Sequence, residues 1–157
     1  MFKKYFWSFF FVLGVFGLDR ISKISIINLL ENSSHDNIFI TNFLSLNLIW
    51  NEGIAFGLFS FDQKIYYNFL TLIIVLVTTV ILWMIIKTRG VEKIAFMMVF
   101  GGSIGNIFDR IYYSSVPDFI DFHIGNFHWF IFNVADIFIT SGVMLLIYLE
   151  FFKKKYD

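Results

Sequence analysis

The sequence predicts a membrane protein of the all-α class with a small β element: four transmembrane helices and a β platform on the outer face. Three observations point there. Apolar residues make up 58% of the chain, with 23 Phe and a single Pro, whereas soluble domains run nearer about 45–50% apolar. Four apolar stretches recur along the chain, at spacings that allow helices to alternate in direction. Basic residues gather at both ends and in one connection. The expectation is a single integral membrane domain over residues 1–157, with spans near 5–22, 65–87, 94–113 and 128–150 and a platform near 36–62.

The first span comes after Lys3 and Lys4 and stays apolar until Asp19-Arg20. A basic start and apolar middle also describe a cleaved secretory signal, but there is no Ala-x-Ala-like site after it, so a retained span is expected. Next come Asn37–Thr41 and residues 44–50, short runs of β-branched and aromatic residues that read as strands. Gly53 and Gly57 punctuate the chain beyond them. Phe39, Phe43, Trp50, Phe56 and Phe59 make this platform suited to lying close to lipid. Residues 65–86 carry no charge and are long enough to span a bilayer. The basic link through Lys87, Arg89 and Lys93 is short, as a helical hairpin requires. The third span is apolar until Asp109-Arg110. Residues 114–126 read as an outer connection holding Pro117, Asp118 and Asp121. The fourth span contains Asp136 near its start and ends before Lys153, Lys154 and Lys155.

With an even number of spans, all three basic clusters fall on one side. The excess of Lys and Arg in cytoplasmic segments then places both termini in the cytoplasm and the acidic groups at the extracytoplasmic face. The formal net charge is zero, which offers no electrostatic case for nucleic acid. No cysteine is present, excluding disulfides, thiolate catalysis and Cys-based metal sites.

Asp19, Asp109, Asp118, Asp121 and Asp136 lie in or beside the apolar segments. A charged group at mid-membrane depth costs at least ~2.5–3.5 kcal/mol, so these positions call for a function. Asp19 and Lys23 are four apart, the spacing of an ion pair on one helix face. Asn106, Asp109 and Arg110 form a polar stripe at the outer end of the third span. Gly101, Gly102 and Gly105 precede it, as close helix packing requires. Asn133 and Asp136 are three apart at the outer start of the fourth span. Two carboxyls sharing one proton supply an acid and a base at a single pH, able to activate water and protonate a leaving amine. Asp118 is the best partner for Asp136 on topology, since the loop between antiparallel spans folds it back over the start of the fourth.

Two apparent motifs carry little weight. Gly101-Gly102-Ser103-Ile104-Gly105 matches G-x-S-x-G, but that motif needs a strand-turn-helix setting and a histidine partner. His35, His123 and His128 lack zinc spacing and are expected to be interfacial or solvated; no metal and no cofactor are expected. A small proton-coupled transporter is the competing reading, because intramembrane carboxylates also mark ion paths. It predicts acids at mid-depth on several spans rather than gathered at one end. A non-catalytic assembly subunit would instead tolerate amide-for-acid changes.

Five segments together resemble the bacterial lipoprotein signal peptidase family, signal peptidase II. They are Asp19-Arg20-Ile21-Ser22-Lys23, Asn51-Glu52-Gly53-Ile54-Ala55-Phe56-Gly57, the block from Gly101 to Arg110, Val116-Pro117-Asp118-Phe119-Ile120-Asp121-Phe122, and Phe132-Asn133-Val134-Ala135-Asp136. The resemblance implies four transmembrane helices with a β cradle and an outer helix, in the bacterial inner membrane. It implies an aspartic endopeptidase that cleaves prolipoproteins before a diacylglyceryl-modified cysteine; membrane lipid is the expected surrounding and a monomer the default expectation. Asp118 and Asp136 map to its catalytic pair. Asn51, Gly53, Asn106, Arg110 and Asn133 map to positions that bind or orient substrate, and Asp19 and Lys23 to a supporting network. Asp109 competes for the first catalytic role; otherwise it is expected to pair with Arg110 and buttress the site. Arg20 departs from the Gln found in many members, a change expected to matter little.

Overall fold

A computed structural model describes residues 2–31, 37–53, 63–125 and 127–153. The elements run α1 (Phe2–Glu31), β1 (Asn37–Thr41), β2 (Leu44–Asn51), α2 (Gln63–Lys87), α3 (Gly90–Tyr113), β3 (Val116–Ile124), β4 (Phe127–Phe132) and α4 (Val134–Lys153). Residues 54–62, including Phe56, Gly57 and Phe59, lie outside the described residues, as does His35.

Three helices are each long and apolar enough to cross a membrane: Ile65–Lys87, Gly90–Tyr113 and Val134–Phe152. Half of the apolar stretch of α3 is buried, against 11% for α2 and α4. The interior helix is therefore α3, and it packs against α4, α2 and α1. Large apolar side chains such as Trp7, Phe69, Leu76 and Met144 stand exposed on the outer faces of the other three. That pattern suits helices whose solvent is hydrocarbon. The glycines of α3 explain why it can sit inside. A Cβ at Gly102 would lie 2.5 Å from the Ala135 carbonyl oxygen of α4, and one at Gly105 would lie 2.5 Å from Asp19 Oδ2 of α1.

Helix α1 does not stop near residue 22 but continues to Glu31, because no Gly or Pro interrupts residues 21–31. At about 1.5 Å per residue it is about 45 Å long, more than the hydrocarbon core requires. No separate outer helix occurs among the described residues.

The two expected strands form, and the sheet is larger than expected. Its order is β1-β2-β3-β4, with every neighbour antiparallel. Residues 114–126, read as a loop, supply β3 instead. Residues 128–132, read as the start of the last span, belong to β4, and the helix begins only at Val134. The physical reason lies in the run Phe127-His128-Trp129-Phe130-Ile131-Phe132, whose aromatic and β-branched residues favour a pleated surface. Gly125, at φ 59°, turns the chain back so that His123 pairs with His128. Ser114, in the left-handed region at φ 59°, ends α3 and sends the chain directly into β3. The sheet thus delivers Asp118, on β3, to the place where α3 ends and α4 begins.

Candidate active site

Asn133 and Asp136 close the start of α4 on each other. The Asp136 N–H donates to Asn133 Oδ1 at 3.0 Å, and the Asn133 N–H donates to Asp136 Oδ2 at 3.1 Å. This reciprocal arrangement is a capping box, in which two otherwise orphaned N–H groups are satisfied by side chains three residues apart. Helix capping is therefore a sufficient local reason for both residues. It leaves the Asn133 Nδ2 amide free, and that amide donates to Asp118 Oδ1 at 2.6 Å. One fully buried asparagine thus holds both carboxylates.

Asp118 receives a second donor from β2. Antiparallel pairing sets Asn51 opposite Val116, two residues from Asp118, and Asn51 Nδ2 donates to Asp118 Oδ2 at 2.9 Å. The other end of that amide accepts the Gly53 N–H at 2.7 Å, which bends the chain at a glycine with φ 76°. Burial pushes the Asp118 carboxyl up from its ordinary value of 3.8 to about 6; the Asn51 and Asn133 donors pull it back, and the Asp136 carboxylate nearby adds to the rise.

Asp136 is held from the other side by α3. Asn106 Nδ2 donates to Asp136 Oδ1 at 2.8 Å, while Asn106 Oδ1 accepts from Lys23 Nζ at 2.9 Å. An ammonium group can only donate, so Lys23 settles which end of the Asn106 amide faces Asp136. Lys23 spends its remaining donors on Asp19 Oδ2 at 3.0 Å and Asp109 Oδ2 at 2.6 Å. Arg20 joins the same cluster, donating to Asp19 Oδ2 at 2.8 Å and Asp109 Oδ2 at 2.7 Å, with its guanidinium over the Phe108 ring. Asp19 Oδ1 accepts the Ala135 N–H at 3.0 Å, tying α1 to the start of α4. Two carboxylates and two cations balance in a cluster whose Asp19, Lys23 and Asp109 are all but fully buried.

One expectation changes in this cluster. Asp109 does not pair with Arg110; its partners are Lys23 and Arg20 of α1. An i,i+1 pair on a helix points in divergent directions, so the neighbouring arginine turns elsewhere, to the Asn106 carbonyl at 3.4 Å. Arg20, where many members carry Gln, bridges Asp19 and Asp109. Adjacency in sequence gave no sign that two acids on different helices would share it.

His128 is exposed as expected, but His123 is not. His123 is buried, and its ring packs 5.2 Å from that of His128, which contacts Asp121 through Nδ1 at 2.8 Å. Ser103 is buried within α3, so the G-x-S-x-G match is helix packing. Of the residues singled out in the sequence, Asn51, Asn106, Asp118, Asn133 and Asp136 form one hydrogen-bonded chain. Asp19, Lys23 and Asp109 adjoin it through Asn106, and Gly53 adjoins it through Asn51.

Known proteins share this outline. The model of the family described as signal peptidase (SPase) II matches residues 11–152. A lipoprotein signal peptidase of Pelagibacter ubique is 48% identical over 150 residues, covering 96% of this chain and 90% of that protein. The lipoprotein signal peptidase of Anaplasma phagocytophilum is 37% identical over 141 residues, covering 89% of this chain and 88% of that protein. A bacterial membrane enzyme solved by the in meso method at 2.3 Å resolution superposes with a TM-score of 0.77 at 26% identity, covering 96% of this chain and 90% of that one.

Proposed function

The chain belongs to the signal peptidase II family, and on that premise we propose that it removes the signal peptide of diacylglyceryl-modified prolipoproteins through an aspartic dyad of Asp118 and Asp136. The cut falls on the N-terminal side of the lipidated cysteine. The observation that supports the dyad above all is the position of Asn133, hydrogen-bonded to both carboxylates.

In this reading Asp118, whose raised carboxyl keeps a proton to higher pH, is the acid and Asp136 the base. Asp136 takes a proton from a water molecule as its oxygen attacks the scissile carbonyl carbon. The tetrahedral intermediate collapses, the carbon–nitrogen bond breaks, and the Asp118 proton passes to the departing amine of the cysteine. Returning the proton from Asp136 to Asp118 resets the pair. General acid–base steps of this kind contribute about 10²–10⁴-fold each. In this reading the second Nδ2 hydrogen of Asn51, the Gly53 carbonyl and the Arg110 guanidinium hydrogen-bond the extended substrate backbone, which needs partners wherever lipid replaces water. Lys23, Asp19 and Asp109 act through Asn106 to hold Asp136 in place.

The membrane arrangement that accompanies this reading has four spans, α1 being the fourth alongside the three helices already named. Both termini lie in the cytoplasm and the dyad at the extracytoplasmic face. The three basic clusters support that orientation, as does a sheet placed entirely at the Asp118 end of α3 and α4.

The test is cleavage of one diacylated precursor by Asp118→Asn and Asp136→Asn, each checked for a folded, membrane-inserted protein. Both are expected to lose turnover, whereas Asp109→Asn keeps a measurable rate when it folds. Turnover by both amide variants would end the dyad reading; loss confined to Asp109→Asn would move the acid to that residue.

A further inference from the structure

We propose that Asp121, His123 and His128 form a binding site for a divalent transition metal, best matched to Zn²⁺, on the side of β3 turned away from Asp118. Each residue offers one ligand atom, and these atoms all lie within 4.8 Å of one another. The strand sets them up. In both register shifts the extra residue falls on the partner strand, β2 or β4, so β3 alternates without interruption and Asp121 and His123 share the face opposite Asp118. His123 and His128 are direct cross-strand partners.

The chemistry of the set fits. Two imidazoles and one carboxylate are borderline donors of the kind that hold Zn²⁺ or Cu²⁺. A tetrahedral zinc with bonds of about 2.0–2.1 Å places its ligand atoms about 3.3 Å apart, within reach of small side-chain rotations from the present spacing. Ser45 Oγ donates to Asp121 Oδ2 at 3.2 Å, supplying the outer hydrogen bond that orients a ligating carboxylate. His128 is half exposed, which leaves an entry path and a coordination position open to water.

A second observation separates this from an ordinary cross-strand ion pair. His123 is 7% exposed, and its Nδ1 is buried with no hydrogen-bond partner among the described residues. A buried ring nitrogen left unpaired is costly, and a metal would use the lone pair that the protein does not. Bound metal would staple β3 to β4, three residues from Asp118 and close to the start of α4. The site is independent of the peptidase reading and would stand if that reading failed.

The test uses the untagged full-length protein in detergent, stripped with a chelator and titrated with Zn²⁺. The expected result is one Zn²⁺ per chain in the wild type and at least tenfold weaker binding by His128→Ala, each protein being compared with its own metal-free melting temperature because the substitution also removes the contact with Asp121. Zn²⁺ is expected to raise the melting temperature of the wild type but not of His128→Ala, as a ligand of the folded state alone does. Co²⁺ in place of Zn²⁺ should give the visible absorption of a mixed nitrogen and oxygen set. No stoichiometric binding by the wild type, undiminished binding by His128→Ala, or a Co²⁺ spectrum of oxygen donors alone would each overturn the proposal.

Discussion

Asn133 and Asp118 are joined by a 2.6 Å hydrogen bond from Nδ2 to Oδ1, while the backbone N–H and the Oδ1 of Asn133 are committed to Asp136. A single side chain therefore caps α4 and sets the separation of two carboxylates on different elements. The two duties are chemically separable, because capping uses the amide oxygen and the contact with Asp118 uses the amide nitrogen.

Asn133→Ser should divide them. Serine caps a helix about as well as asparagine, within a few tenths of a kcal/mol, but its short hydroxyl cannot also donate to Asp118. The expected outcome is a smaller loss of thermal stability than in Asn133→Ala, because the cap is kept, with kcat lowered about 10²-fold, the cost of misplacing a catalytic group by about 1 Å. Asn133→Ala should lose both rate and stability, the latter by about 0.5–2 kcal/mol. Paired melting and cleavage measurements on the two variants decide the matter. Equal rates for Asn133→Ser and wild type would show that Asp118 does not depend on this amide.

Asp118 should leave a signature in pH. Its carboxyl, raised from 3.8 to about 6, keeps a proton in the folded protein that the unfolded chain has already released. The folded state thus binds more protons between these values, so stability is greatest below about 4 and falls as pH rises through about 6. At neutral pH the ionised carboxylate costs on the order of 3 kcal/mol. Asp118→Asn should therefore gain apparent melting temperature relative to wild type as pH rises from 4 to 7, and lose activity throughout. In the wild type, kcat should decline above about 6 as the acid form of Asp118 is depleted. A stability difference that does not change with pH would show that Asp118 is not the perturbed group.

How much of the molecule is legible in its sequence depends on range. The strands at Asn37–Thr41 and residues 44–50, the long apolar helices and the i,i+3 and i,i+4 polar spacings are local signals, and each is present in the structure. The sheet exceeds its local signal because β3 is stabilised by pairing with β2, a partner remote in sequence. Asp118 alternates with large apolar neighbours that also suit a loop under lipid, and Phe127–Phe132 is as apolar as a helix start. Arg20 and Asp109, 89 positions apart, meet only because Gly105 lets α1 and α3 approach. No spacing rule within either helix reports such a contact.

That cluster makes a sharp prediction about stability. Lys23→Met removes one of two cations from among Asp19, Asp109 and Arg20, leaving a buried negative charge uncompensated. Breaking a buried ion pair from one side costs about 3–5 kcal/mol. Asp109→Asn made together with Lys23→Met restores the balance, one cation to one anion, and should recover a good part of that loss. Thermal unfolding in detergent of the two single variants and the double variant measures the coupling. Strictly additive losses would show that Lys23 and Asp109 do not depend on each other.

Gly102 carries the last prediction. It is the point where α3 passes closest to the first turn of α4, and a methyl group there would meet the Ala135 carbonyl oxygen at 2.5 Å and Ile139 Cγ1 at 2.9 Å. The isoleucine can rotate, but the carbonyl is backbone and can yield only if the start of α4 moves. Ala135 sits between Asn133 and Asp136, so that movement displaces both from Asp118 and from Asn106. Gly102→Ala should cost about 1–3 kcal/mol as an overpacked contact and lower kcat by more than tenfold with KM little changed, since the displaced groups are those of the proposed dyad. Gly14→Ala on α1, where a Cβ meets nothing within 4 Å, is the matched control; it should leave the rate unaltered and should not lower the melting temperature, since alanine favours a helix interior by about 1 kcal/mol over glycine. A Gly102→Ala enzyme with wild-type kcat would show that the start of α4 tolerates the shift, and that the distance between the two carboxylates is not set by helix packing.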